Sequence, residues 1–267
     1  MDIPEADLKK LLDTCKEAAH RGGKELVDRM GSARVSKKVR GDLVTEADFA
    51  SQQKIRQLVE EVYPDHAFLG EEEDGSLKTL PDEGFCWIVD PLDGTMNYVH
   101  QLRSFSVSIG VAYNKQLIAG VVLDPLLNEC YEGAIGMGAK LNGDSIHTSD
   151  CEDRNDALMV CSFSGKVGPD SVEVTRFLQV LEQAASVRRL GSAALNLCYI
   201  ACGRLDGYWA TSISLWDVAA GWVIAHEAGA FSSHLDGHPL DLKDPRFLTA
   251  ANPKLHAELM PYMKVAQ

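Results

Sequence analysis

Two aspartates three positions apart close an apolar run in Trp87-Ile88-Val89-Asp90-Pro91-Leu92-Asp93-Gly94-Thr95-Met96-Asn97-Tyr98. The run predicts a buried strand with carboxylates at its end. Pro91 fixes the backbone between them, and Gly94 admits unusual angles or a close approach. Thr95 and Asn97 open a predicted helix, whose free N–H groups and dipole favour an anion. Carboxylates beside an anion repel it unless hard divalent cations lie between them. Oxygen-only ligands suit Mg²⁺, which keeps some water and completes its shell with phosphate oxygens. There is no His/Cys cluster to favour zinc. Taken alone, the segment also reads as a turn residue followed by a helix cap.

Two further acidic segments bear on that choice. Gly70-Glu71-Glu72-Glu73 follows a predicted strand, and Leu215-Trp216-Asp217-Val218-Ala219-Ala220-Gly221 opens a helix that reaches Glu227. Each is ordinary by itself, as a solvated loop and as an acidic first turn. Together the three segments bring carboxylates from separate element ends, as a multi-metal phosphoryl site requires. His100 and His226 read as packed or surface residues. Ser104, Ser106 and Ser108 alternate along a strand with no His/Asp pattern attached, so a serine nucleophile has no support.

The elements that must position these residues follow from periodicity. Leu8, Leu11, Leu12, Cys15, Ala18 and Ala19 predict an N-terminal amphipathic helix that stops near Gly22–Gly23 or runs on towards Met30. A second helix spans Glu46 to Val62, with Phe49, Ile55, Leu58 and Val62 as its apolar face. Ala67–Gly70 and Phe85–Val89 read as strands. Phe105–Val111 and Leu117–Leu123 form a hairpin through Tyr113-Asn114-Lys115-Gln116, and Cys130–Ala134 adds a strand. The second half alternates: strand Leu158–Cys161, helix Ser171–Ser186, helix Ser192–Cys202, strand Leu205–Ala210, helix Trp216–Ala228, strands Phe231–Ser233 and Phe247–Ala250, and a last helix from Asn252-Pro253. Hairpins first and α/β alternation later predict a layered protein mixing α+β and α/β character.

Composition narrows the function classes. The 267 residues carry 26 basic and 39 acidic side chains, a formal net charge of −13. Such a surface repels nucleic acid and anionic lipid, so neither is an expected partner. An anionic substrate then needs local neutralisation. The seven cysteines are an odd number without a CxxC pair and read as reduced thiols of a cytoplasmic protein. No signal peptide or membrane span is expected.

In order and spacing, DPLDGTMNY, GEE and WDVAAGWVIAHEAGA resemble the motifs of the inositol monophosphatase family, Mg²⁺-dependent and lithium-sensitive phosphatases, from about Leu8 to Leu259. The resemblance implies an αβαβα layered sandwich like that of fructose-1,6-bisphosphatase. It implies one domain of two intimate lobes, about 1–145 and 146–267, and a homodimer. It implies that Glu71, Asp90 and the Leu92 carbonyl hold one metal, and that Asp90, Asp93 and Asp217 hold a second. Glu71 shares a third, weaker ion with water. Thr95 and Asp48 orient the attacking water, and Lys37 matches a loop lysine near the site. Gly94 and Thr95 N–H groups hold phosphate. Gly191, Ser192 and Ala193 line the substrate's hydroxyl side.

The reaction implied is hydrolysis of a small phosphate monoester, foremost inositol 1-phosphate, by metal-activated water with no covalent intermediate. One position departs from the family pattern. Many inositol monophosphatases carry a substrate-binding glutamate seven residues before the WD aspartate, and that position is Ala210 here. Histidinol phosphate, sugar phosphates, fructose 1,6-bisphosphate and nucleotide 3′-phosphates therefore stay open as substrates. So does a different class of protein, an inactive binding or regulatory homologue. Trp209 reads either as a contact to another leaving group or as a packed strand residue.

Overall fold

The computed structural model describes residues 3–39, 42–72, 79–164 and 167–264, with the backbone path alone for 37–39 and 42. Helix α1 (Glu5–Arg29) is followed by a two-stranded ribbon, β1 (Val35–Val39) and β2 (Asp42–Thr45), and by α2 (Glu46–Val62). A seven-stranded sheet in the order β3-β4-β5-β6-β7-β8-β9 follows. Its strands are β3 (Ala67–Gly70), β4 (Phe85–Asp93), β5 (Ser106–Tyr113), β6 (Gln116–Asp124), β7 (Glu129–Ala134), β8 (Ala139–Leu141) and β9 (Asp144–Ile146), with α3 (Thr95–Val99) between β4 and β5. The second half supplies β10 (Leu158–Ser162), α4 (Val172–Gln183), β11 (Ser186–Arg188), α5 (Ala193–Ala201), β12 (Gly207–Ala210), α6 (Leu215–Glu227), β13 (Phe231–His234), β14 (Phe247–Ala250) and α7 (Pro253–Met263). Its sheet has five strands in the order β11-β10-β12-β14-β13.

The layers are αβαβα, as the family resemblance implies. Helices α1 and α2 cover one face of the large sheet, and α5 and α6 lie between the sheets. Helices α4 and α7 cover the far face of the small one. Three apolar layers result, centred on Trp87 and Ile109, on Leu197 and Ile224, and on Trp209 and Leu255. The β5–β6 hairpin turns through Asn114 at φ 48° and Lys115 at φ 62°, the paired left-handed residues of a tight type I′ turn.

Several local expectations need correction. Of the two expected ends of α1 the structure takes the farther, running past Gly22–Gly23 to Arg29 with Met30 as its cap. Those glycines are close-approach points, since a Cβ on Gly22 would lie 2.7 Å from Ser51 Oγ on α2. Because α1 packs this tightly, the buried stripe of α2 runs through Ala47, Ser51, Ile55, Leu58 and Val59. Phe49 and Val62 are 52% and 48% exposed and lie off it. Strand β4 does not end at Val89 but continues through a register shift to Asp93. Strands β1, β2, β8, β9 and β11 are short and carry no alternation strong enough to announce them. All seven cysteines are free. No helix of the described residues is long and apolar enough to cross a membrane.

One packing contact sets the position of α6. Gly110 pairs with Gly120, and Gly120 pairs with Gly133, making a side-chain-free row across β5, β6 and β7. Helix α6 lies in that row through Ala219, Ala220 and Ile224. A Cβ on Gly120 would come within 2.5 Å of the Ala220 carbonyl oxygen, a backbone atom that cannot swing aside. Gly120→Ala is therefore expected to destabilise the protein by about 1–3 kcal/mol, read as a lower urea midpoint at unchanged m-value.

Candidate active site

Four helix N-termini bring the motif residues together. Asp48 is the N3 residue of the capping box that starts α2: its Oδ2 accepts from Thr45 N at 2.8 Å and from Thr45 Oγ1 at 2.6 Å. Asp217 does the same on α6, accepting from Ser214 N at 2.8 Å. Gly94, at φ 98°, starts α3, and its missing side chain matters because a Cβ would lie 3.0 Å from the Ser104 carbonyl oxygen. Asp93 receives α5: Oδ1 accepts from Ala193 N at 2.9 Å, and Oδ2 from Ala194 N at 2.8 Å. Ser192 Oγ and Ser106 Oγ also donate to Oδ2. Exposed N–H groups at helix starts need acceptors, and here the acceptors are carboxylates required nearby.

Glu71, Asp90 and Asp217 each offer an oxygen, and the three atoms lie within 4.8 Å of one another. They line a cleft of about 200 Å³ with Leu92, Asp93, Gly94, Thr95, Gly191 and Ala193. Ser162, Ser212 and Ile213 complete its wall. Asp93 stands beside the three oxygens but is not part of that close group. No lysine or arginine among the described residues lines the cleft.

The electrostatic consequence is severe. Burial pushes the Asp90 carboxyl well above its usual range, with the charges of Glu71, Asp93 and Asp217 adding to it. Burial raises Asp217 to about 8, and the Asp93 charge contributes. Burial raises Asp93 to about 6 against its four hydrogen bonds, and Asp48 to about 6. Asp48 Oδ1 is buried without a hydrogen-bond partner. Convergent carboxylates of this kind are what a hard divalent cation neutralises, so the donor set of Glu71, Asp90 and Asp217 fits one.

Some expected pairings differ. The Thr95 hydroxyl donates to Leu92 O at 3.1 Å and makes no hydrogen bond to Asp48. Ser192 Oγ and Ala193 N are turned to Asp93 and leave less for a substrate, because the start of α5 needs an acceptor. Lys37 lies on β1 opposite Leu43, but its side chain falls outside the described residues, as does Glu73. Trp209 is fully buried and packs in the layer under α7, which rules out a contact to substrate. His100 and His226 are exposed and outside the cleft.

Motif reading also passes over supporting residues. Asn97 Nδ2 donates to Ser104 O and Leu190 O, each at 2.7 Å, tying α3 to the loop that carries Gly191. Ser106 reaches Asp93, and Ser108 Oγ donates to Trp216 O at 3.3 Å. The alternation of Ser106 and Ser108 was the available signal: it marks the sheet face turned to the cleft.

Comparison with known proteins decides the family. The model of the inositol monophosphatase family matches residues 7–266. The chain belongs to the inositol monophosphatase family. Among its relatives, an inositol-1-monophosphatase of Synechocystis sp. is 40% identical over 257 residues, covering 95% of this chain and 88% of that one. A fructose-1,6-bisphosphatase/inositol-1-monophosphatase of Aquifex aeolicus is 34% identical, covering 97% and 99%. The solved inositol monophosphatase of Anabaena (Nostoc) sp. superposes with a TM-score of 0.86 at 36% identity, covering 97% and 98%. The chain is thus a metal-dependent phosphatase that hydrolyses phosphate monoesters of small molecules.

The raised carboxyl pKa values carry a sign. With no cation bound, the folded protein holds protons on Asp93 and Asp217 that the unfolded chain, titrating near about 4, has already released. Metal-free stability therefore falls as pH rises from about 4 to about 8. In EDTA, Tm should be lower near pH 8.5 than near pH 6. Asp217→Asn should raise Tm at the higher pH, and a divalent cation should remove the pH dependence in the wild-type protein. Thermal unfolding scans with and without chelator measure this directly.

Proposed function

We propose that this protein is a Mg²⁺-dependent inositol-1-monophosphatase, releasing myo-inositol and inorganic phosphate. The observation that carries the reading is the convergence of Glu71, Asp90 and Asp217 at a cleft bordered by helix N-termini. Glu71, Asp90, the Leu92 carbonyl, Asp93 and Asp217 would hold two or three ions. When bound, they supply the positive charge that offsets a phosphate dianion and bring the pKa of water towards neutrality.

The chain's own groups account for the rest. Backbone N–H groups of Gly94 and Thr95, at the start of α3, bind phosphate oxygens. Glu71 and Thr95 orient the attacking water. Thr95 does so by releasing Leu92 O and turning towards Asp48, whose unpartnered Oδ1 receives the proton. Gly191, Ser192 and Ala193 border the leaving alcohol, and the Lys37 side chain is assigned a loop contact. The catalytic unit is one domain with lobes of about 1–145 and 146–267. Family resemblance further supports a cytoplasmic homodimer inhibited by lithium.

A second substrate reading has a specific basis. Ala210 stands where many inositol monophosphatases carry a glutamate, and the Aquifex relative is named for both sugar bisphosphate and inositol phosphate hydrolysis. A panel of small esters including inositol 1-phosphate, histidinol phosphate and fructose 1,6-bisphosphate separates these substrates. Phosphate release should require Mg²⁺ and stop with EDTA. Asp93→Asn and Asp217→Asn should each lower kcat by at least about 10²-fold while leaving the circular dichroism spectrum intact. Full turnover in a folded Asp217→Asn variant at saturating Mg²⁺ would overturn the assignment, and a metal-binding protein inactive on the whole panel would be a regulatory homologue.

A further inference from the structure

We propose that Ser162 is the specificity-determining residue of the leaving-alcohol wall, and that it presents a hydrogen-bond donor to the substrate. The inference rests on the phosphatase reading above and concerns the same cleft. In the small sheet, β10 runs parallel to β12 with Ser162 directly beside Ala210. Side chains alternate along each strand, so Val160, Ser162, Tyr208 and Ala210 share the face turned towards α5 and α6. Val160, Tyr208 and Ala210 pack in the layer between the sheets. Ala210 is fully buried, whereas Ser162 is half-buried and lines the cleft. With alanine at 210, Ser162 is the polar side chain that the β10–β12 pair presents to the cleft, and Ser212 lies beyond the end of β12.

Tyr208 fixes what that serine can do. The Tyr208 hydroxyl lies 2.8 Å from Ser162 Oγ and donates to it. Tyr208 is fully buried. Burial and the charges of Asp93 and Asp217 hold its phenol pKa high, so it keeps the proton that it donates to Ser162. With one lone pair of Oγ occupied, the Ser162 proton is free to point into the cleft. A glutamate at this place can only accept from a substrate hydroxyl. Ser162 adds a donor there, so, unlike a carboxylate, the wall can also hold a leaving alcohol whose next oxygen is only an acceptor: an ether, a sugar-ring oxygen or a carbonyl. Tyr208 is a positioning residue here and touches no substrate.

A matched pair of esters isolates the donor: 2-methoxyethyl phosphate and butyl phosphate have similar size and differ by one ether oxygen. The readout is the ratio of their kcat/KM values in saturating Mg²⁺. Wild-type enzyme should favour the ether ester by about threefold to tenfold, the range of one neutral hydrogen bond. Ser162→Ala should bring the ratio close to unity, Ser162→Thr should restore it, and Tyr208→Phe should lower it by releasing the serine rotor. The retained hydroxyl of the threonine variant separates hydrogen bonding from a packing effect. Equal ratios in wild type and Ser162→Ala, with both esters hydrolysed, would overturn the role of Ser162 and leave the phosphatase reading standing. A wild-type protein that releases phosphate from no ester would overturn both.

Discussion

Mutual repulsion among buried carboxylates is the constraint around which this fold is organised. Asp90 and Asp93 are buried and Asp217 half-buried within reach of one another, with no described lysine or arginine in their cleft. An arrangement of that kind holds together only if the surroundings supply partial positive charge in advance. The starts of α2, α3, α5 and α6 supply it through N–H groups that would otherwise lack partners. The same groups therefore cap helices and tolerate a cluster of acids. The remaining imbalance is the driving force for cation binding.

The division of labour between the sheets follows. The large sheet contributes Glu71 just after β3, and Asp90 and Asp93 on the bent end of β4. Helix α6 brings Asp217 to them, held at its depth by the glycine row. The small sheet and α5 contribute the other wall, with Ser162 and Gly191 facing the cleft. The acids thus come from the large sheet and from α6, while the small sheet and α5 border the rest of the cleft. Asp93, bonded across the boundary to α5, joins the two.

Much of this was legible in the linear chain, for identifiable reasons. The bounds of α2 are written in Thr45 and Asp48 at one end and Tyr63-Pro64 at the other, because capping is local chemistry. The acidic segments announced a shared centre because three unremarkable motifs together are improbable as surface. What was not legible depends on partners far away in sequence. The exposure of Phe49 follows from how closely α1 approaches α2, a matter settled by Gly22 and not by the α2 pattern itself. The clamp of Asp93 by Ala193 and Ala194 joins residues about a hundred positions apart, and no spacing rule reports it. The bend that carries β4 on to Asp93 also escaped, since Pro91 reads equally well as a strand end.

The flush seating of α6 against Gly110, Gly120 and Gly133 has an evolutionary corollary. A helix resting on bare backbone has no adjustable spacer beneath it, so drift in those strands cannot be absorbed by resizing a side chain. Diversification of such an enzyme is channelled towards the opposite wall, where ordinary side chains on β10 and β12 can be exchanged without moving the acids. The alanine at 210 beside the serine at 162 is the kind of change that this asymmetry leaves open.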